Sequence, residues 1–323
     1  MKTKLMLDQK LSNLGKILKD KKHVVVITDT TVKRLYRKQF PKGDIIVIRE
    51  GEDIKDLGTA AYIFKKMLAL GADRESFIVG IGGGIVCDVA GFVASTFMRG
   101  LSFGFVPTTL LAQVDACLGG KNGVNFEHYK NIMGTINQPE FVYYDFNVLR
   151  TLPEKELRSG FAEAVKHSII SGKLLNKKAI KDVVLDSIKT KLDIVKDDVN
   201  DKHKRRLLNL GHTLGHAIEA VTKGKVSHGA AVSIGICFSA RFSYCLGMLN
   251  KKELDKITIM IASLGLPTEL PKGISKAKII EAMTKDKKKG QKQIEFVLIR
   301  GYGKVVLKKL DIKLIGEAVN ALC

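Results

Sequence analysis

Residues 77–88, FIVGIGGGIVCD, decide the fold. Phe77 to Ile81 is a short apolar run, Gly82-Gly83-Gly84 follows it, and the spacing beyond predicts a helix from Asp88 to Met98. A buried strand, a glycine turn and a helix in that order form one step of a parallel α/β layer. Toward the N-terminus, HVVVITD (residues 23–29) and DIIVI (residues 44–48) are two further β-branched runs, with a charged amphipathic stretch between them and a helix expected over Leu57 to Leu70. That alternation places parallel strands under crossover helices, so residues 1–150 are expected to form an N-terminal doubly wound α/β domain.

Toward the C-terminus, the β-branched runs nearly vanish after Leu152-Pro153. Helical periodicity covers Glu154 to Ile170, Leu174 to Val199, Arg205 to Val221, His228 to Leu246 and Lys251 to Leu264. Ile294 to Ile299 and Lys304 to Leu307, separated by Gly301-Tyr302-Gly303, predict a closing hairpin. Residues 151–323 are therefore expected to form a second, mainly α-helical domain. A chain of 323 residues suits two domains at roughly 150 residues each.

Composition narrows the functional classes. With 45% hydrophobic and 27% charged residues the chain has the balance of a folded protein rather than a low-complexity one. The longest strictly apolar stretch, Phe77 to Cys87, falls well short of the ~20 residues a membrane helix needs, so no transmembrane segment is expected. The opening residues carry charges every few positions, unlike a secretory signal. A cytoplasmic location follows as the expectation, and the five widely spaced cysteines, none in a CxxC pair, are expected to be reduced core thiols. The formal charge of +21 suits a nucleic acid, an anionic membrane or an anionic small substrate, or simply a lysine-rich surface. Without tryptophan and with 7% aromatic residues the chain is poorly equipped to stack bases, so neither a nucleic-acid nor a membrane partner is expected.

Three constellations carry chemistry. Gly82-Gly83-Gly84, between strand and helix, lets backbone N–H groups approach a pyrophosphate at the positive end of the helix; the GxGxxG spacing is absent, and a plain tight turn would use the same residues. Asp29-Thr30-Thr31 and Gly51 to Lys55 follow the first two strands, at the edge where open α/β sheets bind ligands. The second constellation, Thr108-Thr109, Asp115, Gly119-Gly120-Lys121 and Lys130-Asn131, mixes hydroxyls, lysines, an amide and a carboxylate. That mixture suits a phosphorylated, polyhydroxylated ligand, or else a solvated loop. In the third, His212 and His216 share a helical face at i, i+4, and His228 follows in Ser227-His228-Gly229. Glu163 lies in an otherwise apolar helix, where an unpaired carboxylate is unfavourable. Three such ligands with an open position describe a catalytic divalent site, most often zinc; two packed histidines are the plainer alternative, and HExxH is absent.

Together, Gly82-Gly83-Gly84 with Asp88, VPTTLLAQVDACLGGKNGVN (residues 106–125), Lys130-Asn131, LRSGFAEAVKHSII (residues 157–170), LLNLGHTLGHAIEA (residues 207–220) and SHG (residues 227–229) closely resemble the 3-dehydroquinate synthase family, nearly collinearly from Asp29 to about residue 300. The resemblance implies an N-terminal nucleotide-binding α/β domain, a helical metal-binding domain and an active site between them. It implies NAD bound by Asp29, Glu50, Glu52, Lys55, Gly83, Gly84, Asp88, Thr108, Thr109 and Thr151, with Asp115, Lys121 and Lys130 also near the cofactor. Glu163, His212 and His228 are implied to hold Zn2+ or Co2+. Lys121, Lys166, Lys191, Arg205, Asn209 and His216 are implied as catalytic residues. Arg99, Asp115, Lys121, Lys130, Asn131 and Lys287 or Lys288 are implied as substrate contacts, Arg99 reaching across the interface of a homodimer.

The substrate so implied is a phosphorylated sugar acid, 3-deoxy-D-arabino-heptulosonate 7-phosphate. It would be converted to 3-dehydroquinate and phosphate, a step of the shikimate pathway to aromatic amino acids, by transient oxidation with NAD, β-elimination of phosphate, re-reduction and intramolecular aldol closure. The family commonly places glutamate after the His-Gly pair, where this chain has Ala230. Loss of a carboxylate beside a ligand histidine typically weakens metal binding or activity ~10- to 100-fold. Another sugar phosphate cyclase, or a metal-dependent polyol dehydrogenase resembling glycerol dehydrogenase, would share the architecture. Lys121 with Lys130-Asn131 favours a phosphate-bearing substrate.

Overall fold

A computed structural model describes residues 3–127, 129–175, 179–198, 203–285 and 293–322. The chain divides into two compact units, Met1–Pro153 and Glu154–Cys323.

The first unit contains strands β1 (Lys4–Met6), β2 (His23–Asp29), β3 (Asp44–Ile48), β4 (Ser76–Gly82), β5 (Ser102–Pro107), β6 (Lys121–Phe126), β7 (Tyr129–Ile136) and β8 (Phe141–Tyr143), with helices α1 (Leu14–Ile17), α2 (Thr30–Tyr36), α3 (Leu57–Ala69) and α4 (Gly84–Thr96). Six strands form one sheet in the order β1-β8-β5-β4-β2-β3, every pair parallel. Strand alternation separates its two faces. Val24, Val26, Phe77, Val79 and Ile81 pack against Leu11, Leu14 and Val32 on one side. On the other, α4 crosses β4 and β5 so closely that a Cβ on Gly80 would meet the Ala90 methyl at 3.0 Å. With helices on both faces the sheet is doubly wound. The strand order reverses between β2 and β4, so the crevice at their C-terminal ends lies beside Asp29 and Gly82-Gly83.

Two local expectations need correction. Helix α4 starts at Gly84 rather than Asp88, because Gly83 is its extended N-cap and Gly83 C=O already accepts from Cys87 N–H at 3.1 Å. The glycine run thus supplies both the turn and the first helical residue. The stretch around Lys121 and Lys130-Asn131 is not a loop but an antiparallel hairpin, β6 with β7, lying against α4. Buried Gln113 ties this region to the sheet, its Nε2 donating to Pro107 C=O at 3.1 Å and Asp145 C=O at 3.2 Å.

The second unit contains helices α5 (Glu154–Ser171), α6 (Ile180–Asp197), α7 (His212–Thr222), α8 (His228–Cys245), α9 (Lys251–Ser263), α10 (Lys276–Lys285) and α11 (Ile312–Leu322), with the antiparallel pair β9 (Gln293–Gly301) and β10 (Lys304–Asp311). Helix α8 is its axis. It separates two apolar clusters, one with α5 and α9 and one with α7, α10 and α11, and it is buried on nearly every side, as a helix apolar all round must be. Its buried serines remain satisfied within the unit: Ser243 Oγ donates to Ser239 C=O at 2.6 Å and accepts from Ile299 N–H at 2.8 Å.

The expected single helix over Arg205 to Val221 is two pieces, a 3-10 turn (Lys204–Asn209) and α7. Gly211 breaks it with φ of +80°, at a point where any Cβ would lie 2.7 Å from Val232 C=O. Helix α6 begins at Ile180 rather than Leu174, and α10 and α11 were not legible as helices. Cys87, Cys117 and Cys237 are buried free thiols, whereas Cys245 is exposed rather than in the core. Among the described residues no helix is long and apolar enough to cross a membrane.

Candidate active site

In the helical unit, three helices bring one carboxylate and two imidazoles together. Glu163 lies mid-helix on α5, while His212 and His228 are the first residues of α7 and α8. Glu163 Oε1 is 3.4 Å from His212 Nε2 and 3.2 Å from His228 Nε2. Gly229 N–H donates to Ser159 Oγ at 3.2 Å, fastening the start of α8 to α5 one turn before Glu163. The carboxylate therefore meets the first turns of two helices, the ends that favour negative charge.

Burial pushes the Glu163 carboxyl up, but the Lys166 ammonium, then His212 and His228, outweigh it and hold it well below the usual carboxylate range. Lys166 Nζ sits against Glu163 Oε2 as an ion pair without good hydrogen-bond angles, both side chains being almost wholly buried. Burial lowers His228, yet its contacts with Glu163 and Glu219 raise it to about 10. Without a bound cation, His228 is thus an imidazolium between two carboxylates.

Both ring Nδ1 atoms face oxygen. His212 Nδ1 lies 3.1 Å from Leu210 C=O, and His228 Nδ1 lies 3.3 Å from Glu219 Oε2. Each Nδ1 can donate there, which turns each Nε2 toward Glu163. The three ligand atoms lie within 4.8 Å of one another. One oxygen and two nitrogens so grouped fit a divalent cation of the zinc type. The His216 ring meets His212 edge-on, centroids 5.2 Å apart, on the exposed side of α7. Lys191 and Arg205 are both buried, on α6 and the following 3-10 turn; Asn209 is exposed. Lys287 and Lys288 lie outside the described residues.

In the α/β unit the expected residues collect at the C-terminal edge of the sheet. Asp29 Oδ1 accepts from Val32 N–H at 2.8 Å, and Glu50 Oε1 accepts from the hydroxyls of Thr30 and Thr31, each at 2.6 Å. No side chain caps α4 at Gly83, whose Cβ position lies 3.0 Å from the Thr109 methyl. A bare helix N-terminus beside a closely packed glycine fits an anionic phosphate group. Thr108 is buried, its N–H donating to Gly82 C=O at 2.8 Å. Lys55 joins two of the expected groups, donating to Asp88 Oδ2 at 2.6 Å and to Asn131 Oδ1 at 2.5 Å, while Glu52 accepts from Asn125 at 3.0 Å. Asp115 lies on a π-helical turn, Ala112–Ala116, a distortion frequent at functional sites. Lys121 and Lys130 are exposed on the hairpin. Thr151 is bonded to Tyr36 Oη at 2.5 Å. Arg99 stands apart, at the opposite end of α4 from Gly83.

Sequence reasoning missed two residues. Gln113 carried no signal of its own. Glu219 did: it falls at i+7 from His212, an acid among the apolar residues of α7, the same pattern that exposed Glu163. Its contact with His228 also means that this ring is not left without a carboxylate by Ala230.

A doubly wound parallel unit joined to a helical unit with a buried Glu-His-His cluster is the dehydroquinate synthase-like architecture. The chain aligns with the crystal structure of 2-deoxy-scyllo-inosose synthase complexed with carbaglucose-6-phosphate, NAD+ and Co2+ at a TM-score of 0.87 and 25% identity, covering 99% of this chain and 96% of that one. It aligns with 2-epi-5-epi-valiolone synthase from Streptomyces hygroscopicus, with NAD+ and Zn2+ bound, at a TM-score of 0.89 and 24% identity, covering 100% and 97%. Family models for the 3-dehydroquinate synthase N-terminal and C-terminal regions match residues 45–159 and 160–289. The 3-dehydroquinate synthase of Pyrococcus furiosus is 41% identical over 316 residues, 92% of each chain. The chain belongs to the 3-dehydroquinate synthase family.

Proposed function

We propose that the chain converts 3-deoxy-D-arabino-heptulosonate 7-phosphate to 3-dehydroquinate and phosphate, acting as a carbon-oxygen lyase that depends on NAD and a divalent metal. The observation that carries this reading is the convergence of Glu163, His212 and His228 in a chain of this family. When bound, NAD+ accepts and returns one hydride while Zn2+ or Co2+ polarises the substrate oxygens. Glu163, His212 and His228 hold the cation. The α4 N-terminus at Gly83 and Gly84, with Asp29, Glu50, Glu52, Lys55, Asp88, Thr108, Thr109 and Thr151, forms the cofactor site. Asp115, Lys121, Lys130, Asn131, Lys191, Arg205 and Asn209 bind and orient the phosphorylated sugar acid, for which their cationic and amide groups are suited. His216, exposed beside His212, takes up the proton of the C5 hydroxyl as that carbon is oxidised. Lys166 keeps Glu163 ionised for the metal.

The same reading includes a homodimer in which Arg99 completes the neighbouring site. Its support is a strained tip after α4, where Met98, Arg99 and Gly100 have φ of +46°, +70° and +118°, near a hairpin whose Tyr129, Ile132, Met133 and Ile136 are exposed. Non-glycine residues adopt such conformations mostly where position matters. The test is phosphate release from the named substrate with catalytic NAD and added Zn2+ or Co2+, following the NADH absorbance band. Chelator-sensitive phosphate release without net NADH is expected. Steady NADH accumulation with a polyol, without phosphate release, would make the chain a dehydrogenase instead.

A further inference from the structure

The metal reading gives Glu163, His212 and His228 their roles and leaves Glu219 with none. Glu219 is 5% exposed, and its Oε2 lies 3.3 Å from His228 Nδ1, on the side of the ring away from Glu163. It is the third member of one helical face, at i+7 from His212 and i+3 from His216. We propose that Glu219 is a positioning residue for the metal: it fixes the tautomer and aim of His228, so that α7 supplies one ligand directly through His212 and holds a second through this carboxylate.

An ionised carboxylate only accepts, so the Nδ1 facing it carries the hydrogen. For a cation to bind, the imidazolium gives up its other proton, so that Nε2 holds the lone pair, and it is Nε2 that lies 3.2 Å from Glu163 Oε1, where the ligand atoms gather. His228 needs this restraint more than His212 does. His212 Nδ1 is held by Leu210 C=O of its own chain segment and its side chain is 13% exposed, whereas the His228 side chain is 32% exposed. A negative partner also makes the imidazole a stronger donor to a cation than a carbonyl partner does. Ala230, two residues beyond His228, has no polar side chain to offer in its place.

This inference rests on the metal-site reading and is tested separately from it. The full chain, freed of metal, is titrated with Co2+ alone, reading the visible d–d absorption and the dissociation constant by chelator competition for Glu219→Gln, Glu219→Ala and His212→Ala. Loss of such a partner typically weakens binding ~10- to 100-fold. The expected result is a weakening in that range for Glu219→Ala, a loss near its lower end with a displaced absorption band for the nearly isosteric Glu219→Gln, and no specific binding by His212→Ala. Should Glu219→Ala fail to fold, Glu219→Gln decides alone. Affinities within twofold of the parent and an unchanged spectrum in the Glu219 variants, with binding lost in His212→Ala, would overturn the inference and leave the metal site standing. Parent-like Co2+ binding by His212→Ala would overturn both.

Discussion

The two units build their candidate sites from different materials. At the sheet edge of the α/β unit the chemistry is largely backbone: an uncapped helix N-terminus, a glycine turn and side chains that mainly hold one another, such as Lys55 between Asp88 and Asn131. In the helical unit it is mainly side chains, with a buried carboxylate, an ammonium and two imidazoles in contact. A backbone site degrades by degrees when altered. A buried charge cluster fails as a whole, because removing one member leaves another charge uncompensated.

The sharpest break of this comparison is His212→Ala. Turnover should fall below detection and bound metal should drop while the circular dichroism spectrum stays that of the parent; unchanged metal content and turnover would remove the proposed site. Next is Lys166→Met, which deprives a fully buried carboxylate of its cation and should destabilise the metal-free protein by about 3–5 kcal/mol in urea unfolding. A change below ~1 kcal/mol would mean that the histidines alone sustain Glu163. Gly83→Ala probes the other unit. The added methyl would sit 3.0 Å from the Thr109 methyl at the mouth of α4, so NAD+ affinity should weaken about tenfold, or ~1.4 kcal/mol, with the fold retained. Parent-like NAD+ binding by calorimetry would place the cofactor elsewhere.

A further test of the helical unit concerns pH. His228 is raised from 6.5 to about 10 in the folded, metal-free chain, so its contribution to stability is complete below 6.5 and is lost as pH rises through about 10. The urea midpoint of metal-free protein should therefore decline across that window, and His228→Ala should flatten the decline. An identical slope in the variant would assign the titration to other groups.

How far all this was legible depends on what signals burial. The strands at 23–29, 44–48 and 77–81 stood out because both faces of a parallel sheet are covered, which leaves uninterrupted β-branched runs. Glu163 stood out for the opposite reason, a charge where the helix is otherwise apolar. Glu219 gives the same signal two helices later, on α7. The β6–β7 hairpin was illegible because β7 is exposed on nearly every residue, so no alternation marks it. The break at Gly211 was illegible for another reason: its cause is a tertiary approach by Val232, which leaves no trace in local spacing.

The measurement that bears most directly on the central claim is anomalous diffraction at the cobalt edge from crystals of the Co2+-loaded chain. One strong site is expected at bonding distance, about 2.0–2.2 Å, from Glu163 Oε1, His212 Nε2 and His228 Nε2. A cobalt peak elsewhere, with these three side chains still paired only to one another, would contradict it.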